Sequence, residues 1–190
     1  MMNKPDAIVI ADYDPAWPAR FEEERAAIVA ALGEATGGGV TIEHVGSTAV
    51  PGLAAKPIID IMVGVGDPAA AERCVRPLEG IGYVYRGEAG VPGRLFFRKG
   101  NPRTHHVHVA QFGGEIWRRT LLFRDFLRAH PEAARQYGQA KRELARRFRA
   151  SPEAYGPAKE PVVESILARA RVWERPHPRP LSHCTDRRHG

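Results

Sequence analysis

The chain has 190 residues, 43% of them hydrophobic, which suffices for one sizeable core and is short for two full domains. Its 28 Lys and Arg outnumber 22 Asp and Glu, but ten basic side chains face only Asp125, Glu132 and Glu143 in residues 118–149, and four arginines face Asp186 in 175–190; this placement implies a basic helical face and a basic tail rather than a uniform nucleic-acid coat. Cys74 and Cys184 lie far apart, Met1 to Ile10 lacks a signal-peptide core, and no apolar run approaches the roughly 20 residues of a membrane helix, so a disulfide framework, secretion and a membrane partner are disfavoured and a cytoplasmic protein is expected.

Asp14-Pro15 signals a helix start, after which Trp17, Phe21, Ile28 and Leu32 share a face until Gly37-Gly38-Gly39. Residues 40–45 and 58–65 are β-rich apolar runs that read as strands, separated by the turn-rich GSTAVPGLAAKP. Asp67-Pro68 opens a second helix that extends to about Ile81, and Tyr83 to Arg86, Arg94 to Arg98 and His106 to Phe112 read as three further strands. From Glu115 the period becomes helical, with Ala133, Tyr137, Ala140, Leu144 and Phe148 on one stripe and Val162, Val163, Ile166, Leu167, Ala170 and Trp173 on another. The order predicts an α+β domain over 1–174: a mixed sheet, helices packed on one side of it, and a C-terminal helical segment. Residues 175–190 hold three prolines and no apolar period, and are expected to form a disordered basic tail.

Chemistry concentrates in residues 42–62 and 104–109. Gly46 permits a close backbone approach, and Ser47 and Thr48 offer hydroxyls at a turn, a combination that suits an oxyanion such as phosphate. Asp60 stands between Ile59 and Ile61, and a carboxylate in an apolar strand requires a partner. Two readings are open: a metal-binding carboxylate, or a structural one that caps a turn or pairs with Lys56 or an arginine. His106 and His108 project from one strand face, with His105 on the other; they and His44 are candidate metal ligands, against the plainer reading of histidines bonded to backbone. Lys56 and Arg94 adjoin these segments and are candidate phosphate ligands, while Arg98, Lys99 and Arg103 fit either phosphate contact or a charge-protected strand edge. A P-loop is excluded by spacing. Gly64-Val65-Gly66-Asp67-Pro68-Ala69 has the form of a dinucleotide fingerprint, but Asp67 would oppose a pyrophosphate and reads better as a helix cap.

EHVGSTAVPGLAAKPIIDI, preceded by YDPAWPARFEEE and followed by GRLFFRKG, HHVHV, FRDFLRAHPEAARQY and a closing K-x-x-x-V-x-x-I helix, closely resembles the GrpB family, which is counted with the nucleotidyltransferase-like proteins. The likeness runs from about Ile8 to Trp173. It implies a polymerase-β-like nucleotidyltransferase fold in which Gly46-Ser47 holds a nucleoside triphosphate and Asp60 stands as the catalytic, metal-binding carboxylate, with Mg2+ or another divalent ion. Some members of the family are fused to dephospho-coenzyme A kinase. Active members of the superfamily place a second carboxylate two residues on, so that both clamp the metals; here that position is Met62, a poor ligand for a hard cation. Glu43, on the neighbouring strand, is the candidate to complete the site. Three readings follow: a metal-dependent nucleotidyl- or phosphoryltransferase, a catalytically degenerate nucleotide-binding or regulatory module, and a basic adaptor for RNA or an acidic partner. The last is the weakest, because no aromatic side chains interleave the basic ones.

Overall fold

The computed structural model describes residues 8–33, 35–36 and 39–174; the expected tail at 175–190 lies outside the described residues. In chain order the elements are α1 (Trp17–Leu32), β1 (Thr41–Val45), a 3-10 turn (Ser47–Ala49), β2 (Ile59–Val65), α2 (Pro68–Arg73), α3 (Val75–Gly80), β3 (Val84–Tyr85), β4 (Leu95–Lys99), β5 (His105–Gln111), α4 (Glu115–Ala129), α5 (Pro131–Arg147), a second 3-10 turn (Pro152–Ala154) and α6 (Tyr155–Glu174). The strands form one mixed sheet in the order β1-β2-β5-β4-β3. The β2 and β5 strands run parallel, and the pairs β1/β2, β4/β5 and β3/β4 are antiparallel.

Local chemistry sets most boundaries. Asp14 accepts from the Ala16 N–H at 2.9 Å, but the helix itself begins at Trp17, with a proline in its first turn. Asp67 is an ordinary helix cap, its carboxylate accepting from the Ala70 N–H at 2.7 Å, as expected for the reading of this motif as a helix start. The single helix expected to run to Ile81 is two, broken at Cys74. Pro77 lacks the N–H that would bond to the carbonyl of Arg73, so the ladder restarts.

Because strand side chains alternate, the register assigns each residue to a face. One face carries Ile59, Ile61, Val63, Val65, Val107, Val109, Leu95 and Phe97, and these pack with Trp17, Phe21, Ile28 and Leu32 of α1 and with Leu78 of α3. The other carries Asp60, Met62 and Gly64 on β2, opposite Val45, Glu43 and Thr41 on β1 and His106, His108 and Ala110 on β5. Over part of this second face lies α4: a Cβ on Gly64 would stand 2.6 Å from the Trp117 ring, and Val45, Met62, Ala110 and Trp117 form a small buried cluster. The C-terminal helices build a further core, in which Leu122, Phe126, Tyr137, Ile166 and Ala170 enclose Val50 and Leu53 from the turn-rich loop. The β1–β2 loop is thereby held between sheet and helices, and the uncovered part of the second face, around Asp60, is left for a site.

Candidate functional site

The β1–β2 turn is shaped around Asp60. Gly46 has φ +71°, and a Cβ built on it would lie 2.5 Å from Asp60 Oδ2. The need for glycine, expected from approach to a phosphate, is therefore explained by approach to a carboxylate. Thr48 is buried, and its Oγ1 lies 3.0 Å from His44 Nε2, a contact that pins the turn to β1 from beneath.

Two histidines hold the Asp60 carboxylate. His106 Nδ1 lies 3.1 Å and His108 Nε2 3.5 Å from Oδ1. Arg94 Nη1 is 3.4 Å from His108 Nδ1, so that nitrogen is the acceptor and Nε2–H points at Asp60. Burial by itself would raise the Asp60 carboxyl, but the His106 and His108 hydrogen bonds and charges outweigh it and keep the group well below the usual carboxylate range. Burial also lowers His108, against the pull of Asp60. Asp60 is thus an ionised, imidazole-bonded carboxylate; among the described residues its hydrogen-bond partners are the two histidines, and Lys56 and Arg94 act on it only at longer range.

Beside it opens a cavity of about 200 Å3 lined by Ser47, Thr48, Lys56, Asp60, His106, Lys141, Tyr155 and Lys159 among others. Lys141 joins the site from outside the sequence motifs. It comes from α5, is only 3% exposed, and donates from Nζ to Ser47 Oγ at 2.8 Å, with the ammonium also 4.5 Å above the Tyr137 ring. No carboxylate lies within ion-pair distance of it among the described residues. Burial, with help from Lys159 and Arg142 and against Asp60, pulls it down from 10.5 to about 7. Lys56 Nζ sits 4.5 Å over the Tyr155 ring and is lowered by burial and by Lys159. A legible signal for Lys141 existed: the buried stripe of α5 runs Ala133, Tyr137, Lys141, Ala145, so a lysine occupies a core position at helical spacing.

Several expected ligands do not join this arrangement. His44 lies on the opposite face of the sheet, paired with Ile61 in register and stacked on Phe21 at 4.7 Å between ring centres. Glu43 shares the Asp60 face, but its carboxylate accepts from Arg124 at 2.7 Å, and the same guanidinium reaches Asp125 and the His44 carbonyl. Met62 is sealed under Trp117. Arg94 is bound to the carbonyls of Glu88 and Ala89 and touches the site at His108, acting on Asp60 at longer range. Among the described residues no group of three or more His, Cys, Asp or Glu side chains is placed to hold a metal ion. The donors that do gather, one carboxylate oxygen and two imidazoles, are not the oxygen-rich set a magnesium pair requires.

A family model described as GrpB protein matches residues 7–169. The chain belongs to the GrpB family. A UPF0157 protein of Pseudomonas aeruginosa is 48% identical over 178 residues, which cover 91% of this chain and 71% of that one. The crystal structure of GrpB from Enterococcus faecalis superposes with a TM-score of 0.77 at 40% identity, covering 87% of this chain and 100% of the other. A dephospho-CoA kinase of Mycolicibacterium paratuberculosis is 33% identical over 187 residues; the matched region is 84% of this chain and 45% of that enzyme, so this GrpB chain spans less than half its length. No helix among the described residues is long and apolar enough to cross a membrane.

Proposed function

We propose that this GrpB chain binds a phosphate-bearing small molecule, of which a nucleoside triphosphate is the leading case, with an anionic group held at Ser47 by Lys141. Lys141 carries this reading. A lysine this deeply buried, hydrogen-bonded among the described residues only to a hydroxyl and lining one cavity with two further lysines, is costly unless an anion completes the site. The one carboxylate in the cavity is already engaged by two histidines and does not neutralise it. Similarity to part of an enzyme named dephospho-CoA kinase is in keeping with a phosphate-bearing ligand.

Binding, rather than metal-dependent transfer, is the reading the geometry supports, because the position for a second carboxylate is a sealed methionine and Glu43 is committed to Arg124. Calorimetric titration with ATP and with tripolyphosphate, each with and without magnesium, tests both points. Expected are saturable binding without an absolute need for magnesium, an affinity loss of about tenfold or more in Lys141→Met from losing a charge-assisted contact, and no pyrophosphate release. Absence of binding by both probes overturns the reading. Magnesium-dependent pyrophosphate release that Asp60→Asn abolishes replaces it with the transferase.

A further inference from the structure

From the Ser47–Lys141 cavity a wider groove of about 810 Å3 leads outward, and Lys56, Tyr155 and Lys159 line both. Its further basic residues are Arg86, Arg98 and Arg103, and its single acid is Glu153. Five cations from separate places in the chain converge here: Lys56 from the β1–β2 loop, Arg86 after β3, Arg98 from β4, Arg103 from the β4–β5 turn and Lys159 from α6. A solvated helix face or a protected strand edge does not gather charge in this way.

The energetics point in the same direction. The Arg98 guanidinium rests on the Phe96 ring at 5.2 Å with its Nε buried and unpartnered. Burial lowers it further with Arg103 and Arg86, and Lys56 feels Lys159, Arg103 and Arg98 in the same sense. Like charges held together at a concave surface store repulsion that a bound anion would relieve.

We infer that this groove is a second anion subsite, and that the ligand is a small molecule of about nucleotide size which bears, besides the phosphate or phosphate chain at Lys141, a separate phosphate group held among Arg86, Arg98 and Arg103, as a nucleotide phosphorylated also on its ribose would. The claim that one ligand spans both ends rests on the function proposed above; the groove itself does not. Its volume falls within the roughly 300–1,000 Å3 usual for small-molecule sites. A nucleic-acid strand is not the occupant, because Tyr155 is the one aromatic side chain of the lining and Lys56 already covers its face, which leaves no platform for successive bases.

The test compares 5′-AMP with adenosine 3′,5′-bisphosphate by calorimetry on the wild-type chain, on the double variant Arg86→Gln/Arg98→Gln and on Lys141→Met, each first shown to melt in a single cooperative transition above the assay temperature. Glutamine keeps an amide and much of the aliphatic stem, so packing on Phe96 is retained. In the wild type the bisphosphate should bind about tenfold tighter than 5′-AMP, the worth of one charge-assisted phosphate contact. The double variant should erase that ratio and leave 5′-AMP within about twofold, a change too small to count as a lost contact. Lys141→Met should weaken both probes. A ratio that persists in the double variant, or bisphosphate binding no tighter than 5′-AMP in the wild type, overturns the subsite. If Lys141→Met leaves both probes unchanged while the double variant still weakens the bisphosphate, the inner-pocket reading fails and the groove stands. An oligoribonucleotide that binds more tightly than the bisphosphate, with an affinity falling steeply with salt, overturns the small-molecule assignment in favour of a strand.

Discussion

Gly46 shows how one residue sets up a site. Any side chain there must both adopt φ +71° and displace the Asp60 carboxylate, whose Oδ2 lies 2.5 Å from the new Cβ. Gly46→Ala should therefore cost about 1–3 kcal/mol, the scale of a residue forced into a strained backbone region, measured by denaturant unfolding. His44 supplies a pH dependence. Burial against Phe21 pulls it from 6.5 to about 4, so the unfolded chain takes up a proton that the folded chain refuses. Stability from this residue is complete above pH 6.5 and is lost as pH falls toward 4, about 3 kcal/mol in all. His105 and His108, also lowered, contribute in the same direction below pH 6.5, whereas the depressed Asp60 loses its contribution only below its ordinary value of 3.8. Urea unfolding at several pH values should show this decline, and His44→Gln should flatten it; an unaltered slope in the variant would assign the effect elsewhere.

At the level of elements, α4 is held on the sheet by Trp117 lying over Gly64 and by Arg124 reaching Glu43 on β1. Removing the guanidinium in Arg124→Met strands Glu43 and a buried carbonyl, and should cost about 3 kcal/mol, toward the lower end for a buried pair because Glu43 is partly exposed. The same contact decides the fate of Met62. On sequence spacing alone, Met62→Asp looks like the restoration of a metal clamp. In the folded protein it places a carboxylate among Val45, Ala110 and Trp117, so it should destabilise by at least about 3 kcal/mol, and magnesium should not recover the loss. A thermal melt of the variant with and without magnesium distinguishes the two, since a metal-dependent rise would show that a clamp had formed.

At the scale of the whole molecule, the sheet, the β1–β2 loop and the helical bundle meet at one concentration of positive charge. Lys141, held at about 7 against an ordinary 10.5, binds a proton in the unfolded chain that it lacks in the folded one between those values. The penalty is complete below pH 7 and relieved as pH rises, so ligand-free stability should increase from pH 7 toward 10.5 on account of this group. A phosphate needs the ammonium, so stabilisation by added phosphate should shrink over the same interval. Melting curves in phosphate and in chloride at equal ionic strength should differ by several degrees at pH 6, about 1–2 kcal/mol of linkage. In Lys141→Met both trends should vanish.

Much of this was legible in the amino-acid order because local physics fixes it. The apolar run of 58–65, the cap at Asp67 and the start of the α5 stripe at Ala133 and Tyr137 are each set within a single element, although that buried stripe continues through Lys141 and Ala145 rather than Ala140, Leu144 and Phe148; the Gly46-Ser47 turn and the isolated Asp60 stand out against apolar neighbours whatever surrounds them. The sequence also placed His106 and His108 on one face, since strand period alone separates them from His105. Other choices belonged to the tertiary structure, because they depend on which element covers which face. Strand pairing put His44 beneath the sheet although it is two residues from Gly46. The docking of α4 took Glu43 for Arg124 and sealed Met62. The docking of α5 brought Lys141 to Ser47 across 94 positions of chain, and no spacing rule joins residues so far apart until the loop between them is buried.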